Sequence, residues 1–398
     1  MTNIIADKGY LAVKPQLTAN TPVIPSIFLP YITDSVITNQ NFVRDMRLFG
    51  IDWSGLDILR GAKEHSGSIE FYLDPFTTAH FLNMGMKKGT TTNDGGTPPV
   101  YTHPFTAEDS KLYTIEFSVG GYYTRRYFDV RLNTLDISID NGKIKGTANI
   151  QAGGEWSVRN LKTALSGAVT SLTFDQKYSN YPAKGLVAGD ILKIGSVEVT
   201  ILTVSADFQS VTFASTSITA SAGTPVYLKC QIPSYAGKRP VFMFENMIIG
   251  SGANATEANT NATCTKQTQV NDITFSFNNN LLTEPLSGDD CGPRNIQATV
   301  KEASLTIRRL FSDISQVQKW INAEKQAFVI KILGTYGNNT TREELKIIIN
   351  NAKLITNNNP INQGGFVYDE QEFAVLYDED DAQAIKVELS NLEDGSDY

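Results

Sequence analysis

The 398-residue chain holds three cysteines and three histidines, and each scarcity removes a class of function. Cys230, Cys264 and Cys291 are odd in number and spaced 34 and 27 residues apart. That fits neither a zinc motif nor a disulfide framework, so they are expected to be reduced and mostly structural. His65, His80 and His103 lie in three separate segments, with no HExxH and no i, i+4 pair. A zinc site, or a nucleophile with its base, needs several such groups to converge, so no metal, cofactor or catalytic set is expected. No stretch approaches the roughly eighteen consecutive apolar residues of a membrane helix, and no membrane partner is read. The opening MTNIIADKGYLAVKP lacks a basic stretch followed by an unbroken apolar one, so the expectation is a soluble protein made in the cytosol. A cationic excess is missing too: 34 Lys+Arg stand against 42 Asp+Glu, net −8, which disfavours a surface that grips nucleic acid through its phosphates.

What is present describes a globular chain, 41% hydrophobic and 19% charged, long enough for two or three units or one long domain with an insertion. Residues 1–50 carry Pro15, Pro22, Pro25 and Pro30 among isolated apolar positions and read as an extended N-terminal arm and lead-in. A helix is predicted to open at Asp74-Pro75 and to run through Phe76, Ala79 and Leu82 to Gly85. Residues 87–105, KKGTTTNDGGTPPVYTHPF, show no period. Nineteen residues exceed most loops in compact domains, so the segment is expected to be functional or ordered by a partner.

From Lys111 the apolar period becomes two. Tyr113, Ile115, Phe117 and Val119 alternate with Thr114, Glu116 and Ser118; residues 122–130, 134–140 and 143–151 follow, turned by Gly120-Gly121 and Asn141-Gly142, a four-stranded meander. The same alternation marks 272–277, 296–308, 327–333, 344–349, 371–377 and 384–390. In 296–308 the apolar parity switches between Val300 and Leu305, predicting a bulge over 301–304. One helix interrupts them, capped by Ser312-Asp313, whose single stripe of Ile314, Val317, Trp320 and Ile321 is expected to lie on a sheet. Residues 160–231 have a different texture, short Val/Ile/Thr strands between Gly-Asp, Gly-Ser and Ala-Asp turns, and read as an inserted small β-barrel or sandwich domain.

Three segments invite chemistry. Gly250-Ser251-Gly252 follows an apolar run as a dinucleotide fingerprint would, but NATEANTNATC after it has no helical period, so a flexible loop is expected. Asp289-Asp290 and Glu343-Glu344 read as solvated faces. Tyr122, Tyr123, Tyr127 and Phe128 surround Arg125-Arg126, a set able to stack single-stranded nucleic acid. The favoured reading is a strand covered on both faces, by core and by a neighbouring subunit.

Taken in order, DPFTTAHFLNMG, the long loop ending YTHPF, the meander LYTIEFSVGG to TANIQAGGEW, FSFNNNL, SLTIRRLFSDISQVQKWINAEKQAFVIKILG and the closing EFAVLYDEDDAQAIKVELSN resemble the major tail tube protein of long-tailed, siphovirus-like bacteriophages. The resemblance covers 51–156 and 233–391, with 160–231 as a departure, and implies a discontinuous tail-tube domain of 51–156 and 233–398. It implies a mainly β protein, a tail-tube β-sandwich with one flanking helix. Its subunits would form hexameric rings stacked into a tube conducting double-stranded DNA without sequence-specific binding. Implied partners are further copies of itself and tape measure, tail terminator and distal tail proteins. The place implied is the virion tail, after synthesis in the bacterial host cytoplasm, and no enzymatic role is implied. The family uses a loop and terminal arms as bridges, which assigns inter-subunit contacts to Lys87, Lys88, Asp94, Tyr101, His103 and Phe105 and to residues 1–20. A conduit for a polyanion calls for acids or neutral groups along its lumen, making Glu116, Asp136 and Asp140 the lumen candidates and Lys143 and Lys145 the cations that count against that face. The inserted domain would decorate the outside of a tube with no sheath. Other classes compatible with multi-sandwich β texture are an adhesin or carbohydrate-binding protein and an all-β polysaccharide-degrading enzyme. The negative charge is local: residues 366–398 hold 11 acids and one base, leaving the other 365 residues with 31 acids and 33 bases.

Overall fold

A strand that alternates apolar and polar residues must bury one face, and here those faces meet in one large core. In Lys143–Ala152, for example, Ile144, Ala148 and Ile150 are buried while Lys143, Lys145 and Thr147 face away. The structure, a computed structural model, describes residues 9–44, 58–177, 179–235, 239–264, 269–284, 295–311, 314–359, 366–380 and 382–398. The fold is mainly β, a sandwich-like curl of antiparallel sheets with few helices.

The larger sheet runs in spatial order Ile58–Tyr72, Lys143–Ala152, Tyr123–Asp140, Val270–Asn278, Glu302–Leu310, Tyr368–Val375 and Arg342–Asn358. Arg342–Asn358 then forks it. One edge holds Gln326–Tyr336, which pairs onward with Met247–Gly252; the other is shared by Tyr368–Val375 and Ile385–Asn391, the latter pairing with Tyr101–Thr106. A smaller sheet joins Ile27–Leu29, Leu11–Pro15, Tyr113–Val119 and the first half of Tyr123–Asp140. Leu11, Val13, Ile115 and Phe117 from it enter the same core as Phe71, Phe275, Ile347 and Phe373 from the larger sheet.

The meander therefore has three strands where four were expected. Tyr123–Asp140 is one 18-residue strand that passes from the small sheet to the large one, bending where the register shifts between Tyr127 and Val130 and Asp129 adopts φ +53°. The Asn141-Gly142 turn is as read: both residues have positive φ, 49° and 78°, and Asp140 pairs directly with Lys143, the two-residue geometry whose twist suits a hairpin.

The N-terminal segment departs further from expectation. Its residues 1–8 lie outside the described residues, but Leu11, Ala12 and Val13 are wholly buried between two strands of their own subunit. Prolines space this stretch into short strands without preventing it from entering the sheet. The 87–105 loop also folds back on its own chain: Lys87–Lys88 and Thr92–Asn93 pair with Tyr101–Thr106. The 296–308 run breaks rather than bulges. Asn295–Ala298 pairs with Leu281–Glu284 in a separate ribbon, and Glu302–Leu310 joins the main sheet, so the parity switch marks the end of one strand and the start of another.

Among the described residues three α-helices fit around the sheets. Helix α1 (Thr77–Gly85) is buried along its entire length, entered through Asp74, whose Oδ1 accepts the N–H groups of Phe76 (2.9 Å) and Thr77 (2.8 Å). Helix α2 (Ala255–Cys264) occupies the segment expected to be a loop. Asn254 Oδ1 accepts the Glu257 N–H at 2.9 Å and Glu257 Oε2 accepts the Ala253 N–H at 2.8 Å, a reciprocal capping arrangement. It has no apolar stripe because it packs through Ala258 and Ala262 directly on Gly250 and Gly252. Helix α3 (Ser315–Ile321) does not lay its stripe on the sheet: Ile314, Trp320 and Ile321 are 61%, 44% and 71% exposed and Val317 is half-buried. Its expected caps Ser312-Asp313 lie outside the described residues.

Residues 158–228 form a six-stranded sheet of their own, around Leu172, Phe174, Leu192, Ile201, Phe213 and Val226. Trp156 belongs to that second core and donates its indole N–H to Pro182 O at 2.8 Å.

Two changes test this packing. Deleting residues 9–15 removes four fully buried side chains, Tyr10, Leu11, Ala12 and Val13, and a central strand, a loss of several kcal/mol; the protein is expected to lose its cooperative melt, and a folded, cooperatively melting product would contradict the placement. Gly250→Val drives a side chain into a space where a Cβ already meets Ala258 O at 2.0 Å. It should cost about 2–4 kcal/mol in denaturant unfolding by displacing α2.

Candidate functional site

Residues directly opposite in antiparallel strands share a face, so the register builds continuous polar rows across the large sheet. One row is Glu70, Thr147, Asp136, Ser276 and Ser304; others are Tyr72, Lys145 and Ser138, then Thr306, Glu372 and Thr356, then Asp272, Arg308 and Glu370. Asp136 Oδ1 accepts the Ser276 hydroxyl at 2.5 Å, and Asp140 accepts the Tyr72 hydroxyl at 3.0 Å and the Asn141 amide at 2.9 Å. Three cations on this face have partners: Lys145 is 3.0 Å from Glu70, Arg308 is 3.3 Å from Glu370, and Lys143 sits 4.4 Å over the Tyr72 ring, while Lys353, which extends the first row beyond Ser304 and Ala374, is exposed. Asp136 and Asp140 thus share one partly exposed face of mixed charge.

Glu116 does not join them. It lies opposite Arg126, which in turn lies opposite Trp156, on the outer face of the small sheet, and the 158–228 domain covers that face. The Arg126 guanidinium, 1% exposed, donates to both oxygens of Asp190 at 2.6 Å, to Glu116 Oε1 at 2.7 Å and to Gly185 O at 3.0 Å. Glu116 Oε2 accepts from Gln231, which also donates to Pro25 O. Burial alone would push the guanidinium down, but Glu116 and Asp190 outweigh it and hold Arg126 above its ordinary value, charged. A cleft of about 340 Å³ beside this triad is lined by Glu116, Arg126, Asp190, Cys230 and Gln231. Arg125 reaches Asp34 (3.0 Å) and Val36 O (2.8 Å). Neither arginine is available to stack bases, and the second cover of this strand is the chain's own six-stranded 158–228 sheet.

The loop candidates bind their own subunit. Lys87 pairs with Glu108. Lys88 Nζ donates to Gly395 O at 2.5 Å and lies 5.0 Å from the Tyr398 ring centroid. Asp94 accepts the Gly96 and Val100 N–H groups and the Asn338 amide (2.9, 2.9 and 2.7 Å). With Thr341, these hydrogen bonds hold its carboxyl well below the carboxylate range. Tyr101 opens the strand that pairs with Ile385–Asn391. His103 and Phe105 are fully buried and so are core residues, not contacts between subunits. The His103 ring accepts from Thr91 at Nδ1 (2.9 Å) and donates from Nε2 to Asn391 Oδ1 (3.1 Å) and Glu393 O (3.0 Å). Beside it, His80 is enclosed edge-on by Phe76, Tyr113 and Tyr398. Burial, and secondarily the charge of Lys88, push its pKa down to about 3.

The acid pairs weighed for catalysis divide as follows. Glu343 pairs with Arg239 at 2.9 Å and is buried, while Glu344 alternates to the other face beside Lys331 and Lys346; Asp289-Asp290 lies outside the described residues. Among the described residues no three His, Cys, Asp or Glu side chains could hold a metal ion together. The sequence offered no sign of the Arg126 triad, because Asp190 sits in a Val-Ala-Gly-Asp turn that reads as solvated. Helix α2 was signalled only by the Asn254/Glu257 capping pair.

A family model described as phage tail tube protein matches residues 7–375. A comparison with the curated proteins finds no match.

Removing the guanidinium alone, Arg126→Met, leaves two carboxylates buried without a counter-charge and should cost about 3–5 kcal/mol in denaturant unfolding. Adding Glu116→Gln and Asp190→Asn should recover much of that loss; no recovery would show that the pairing is not what holds the seam. Acid should act through His80. The unfolded imidazole takes up a proton near 6.5 while the folded one resists until about 3, so the stabilisation is complete above pH 6.5 and is lost as pH falls toward 3. His80→Leu should therefore lose less melting temperature between pH 7 and pH 4 than the parent; equal losses would refute the assignment.

Proposed function

The chain belongs to the phage tail tube protein family, and we propose that it forms hexameric rings that stack into the tube of a long, non-contractile tail and conduct double-stranded DNA from capsid to host. The family membership makes it a structural tail protein that assembles with itself and with other tail proteins. The finer reading rests on one observation. The polar rows of the large sheet form a broad, continuous surface whose acids Asp136 and Asp140 are held in place and whose cations Lys143, Lys145 and Arg308 are already engaged.

Such a face suits the wall of a DNA channel. A polyanion slides where it meets no unpaired cation, since each phosphate contact by a free Lys or Arg would release counterions and hold the strand. Hydroxyls of Thr147, Ser276, Ser304 and Thr306 hydrate the path. Sheet edges that are aggregation hazards in an isolated subunit become paired ladders when the ring closes. In this reading the tape measure, tail terminator and distal tail proteins are the further partners, the virion tail is the site of action after synthesis in the host cytoplasm, and the inserted domain decorates the outside.

Negative-stain microscopy of the purified protein should show rings or tubes, and monodisperse monomers under all assembly conditions would refute the proposal. Asp136→Lys with Asp140→Lys should spare assembly yet slow DNA ejection from virions several-fold. Unchanged ejection kinetics would remove this face from the lumen.

A further inference from the structure

The register gives the subunit two poles. The Asn141-Gly142 turn, Tyr72, Asp272, Leu310, Tyr368 and Asn358 gather at one end of the large sheet. His65, Ala152 and Arg131 mark the other. Beyond that second end the Ile37–Arg44 strand continues to pair with Ile58–Tyr72, from Thr38 opposite His65 to Arg44 opposite Ile58. Lys143–Ala152, the other neighbour of Ile58–Tyr72, stops at His65. A two-stranded ribbon therefore projects past the sheet by roughly 20 Å. Two strands alone are marginally stable in water. This ribbon carries Phe42, 58% exposed.

The opposite pole carries what the ribbon lacks. Helix α3 follows Leu310 there, and its Trp320 indole donates to Ile355 O at 3.3 Å, tying the helix to the end of Arg342–Asn358. Phe311, Ile314, Trp320, Ile321 and Ile355 are all exposed. Together they offer on the order of 500 Å² of apolar-rich surface, about as large as the largest patch of a typical monomer and most of the roughly 800 Å² that one partner contributes to a stable interface. An exposed aromatic side chain at one end of a subunit and an apolar patch at the other make a heterologous contact, which propagates as an open stack.

We infer that the 37–44/58–64 ribbon of one subunit docks on the α3 patch of a second copy in the next ring. The inference rests on the tube reading and names the residues of its axial contact. Phe42 is the anchor on one side, and Trp320 and Ile321 with Ile314 form the seat on the other. Because the contact is head to tail, each subunit uses both surfaces once, and a chain defective in one retains the other.

Phe42→Asp and Ile321→Asp test it, since both side chains are exposed and each variant should melt like the parent. Each alone should give single unstacked rings by electron microscopy, with at least tenfold fewer stacked particles. Rings of the two variants, prepared separately and mixed, should join in pairs across one junction without growing further. Long tubes from either variant, or no pairing in the mixture while the parent forms tubes, would overturn the contact. Loss of the rings themselves would place the patch between neighbours within a ring and overturn it equally. A parent that forms no rings or tubes would instead refute the tube reading on which this one stands.

Discussion

Side chains on a strand alternate between two faces, and neighbouring strands carry that alternation across a sheet without loss. From Ile58–Tyr72 to Tyr368–Val375 in the large sheet, the apolar sets point to one core, so the polar sets form an equally continuous surface on the other side. Slipping Val270–Asn278 by one residue would turn Phe275 and Phe277 outward and carry Ser276 away from Asp136. The core and the open polar face are two sides of the same register. Neither can change alone.

That register also determines where charge is tolerated. On the open face of the large sheet Lys145 and Glu70 or Arg308 and Glu370 meet in solvent, where an ion pair contributes little to stability. On the outer face of the small sheet the same kind of opposition, Glu116 to Arg126, is sealed by the inserted domain and by Asp190. There the pair fixes how the domain sits, because any other placement leaves a buried charge uncompensated. The acidic C-terminal region behaves similarly. Asp369 meets Arg309, Asp378 meets Lys325, Glu388 lies between Lys346 and Lys386, and Glu393 reaches Arg239. Much of the negative excess is absorbed within the subunit.

Strands were legible because burial on one side writes a period of two into the residues, as in Tyr113–Val119 and Lys143–Ala152. The Asn-Gly turn was legible because few other residues tolerate positive φ. Helix α2 was hidden because a helix that packs through alanines on glycines needs no apolar stripe. The stripe of α3 was visible, but most of it stays exposed, held to the Arg342–Asn358 strand through the Trp320 indole. Among the lumen candidates, Asp136 and Asp140 lie on the open face and Glu116 does not, although all three alternate identically in the sequence.

Local pattern determined the β character, the strand positions, the hairpin turns and the separate texture of 160–231, since each follows from the conformational preferences of near neighbours. Which polar face stays open, that residues 11–13 form an inner strand, and that Arg126 is enclosed by Glu116 and Asp190 were decided only by tertiary structure. Those outcomes depend on contacts between residues tens to more than a hundred positions apart, such as Leu11 with Phe117 and Arg126 with Asp190. Alternation says that a strand has two faces; only the packing of the whole chain determines what covers each.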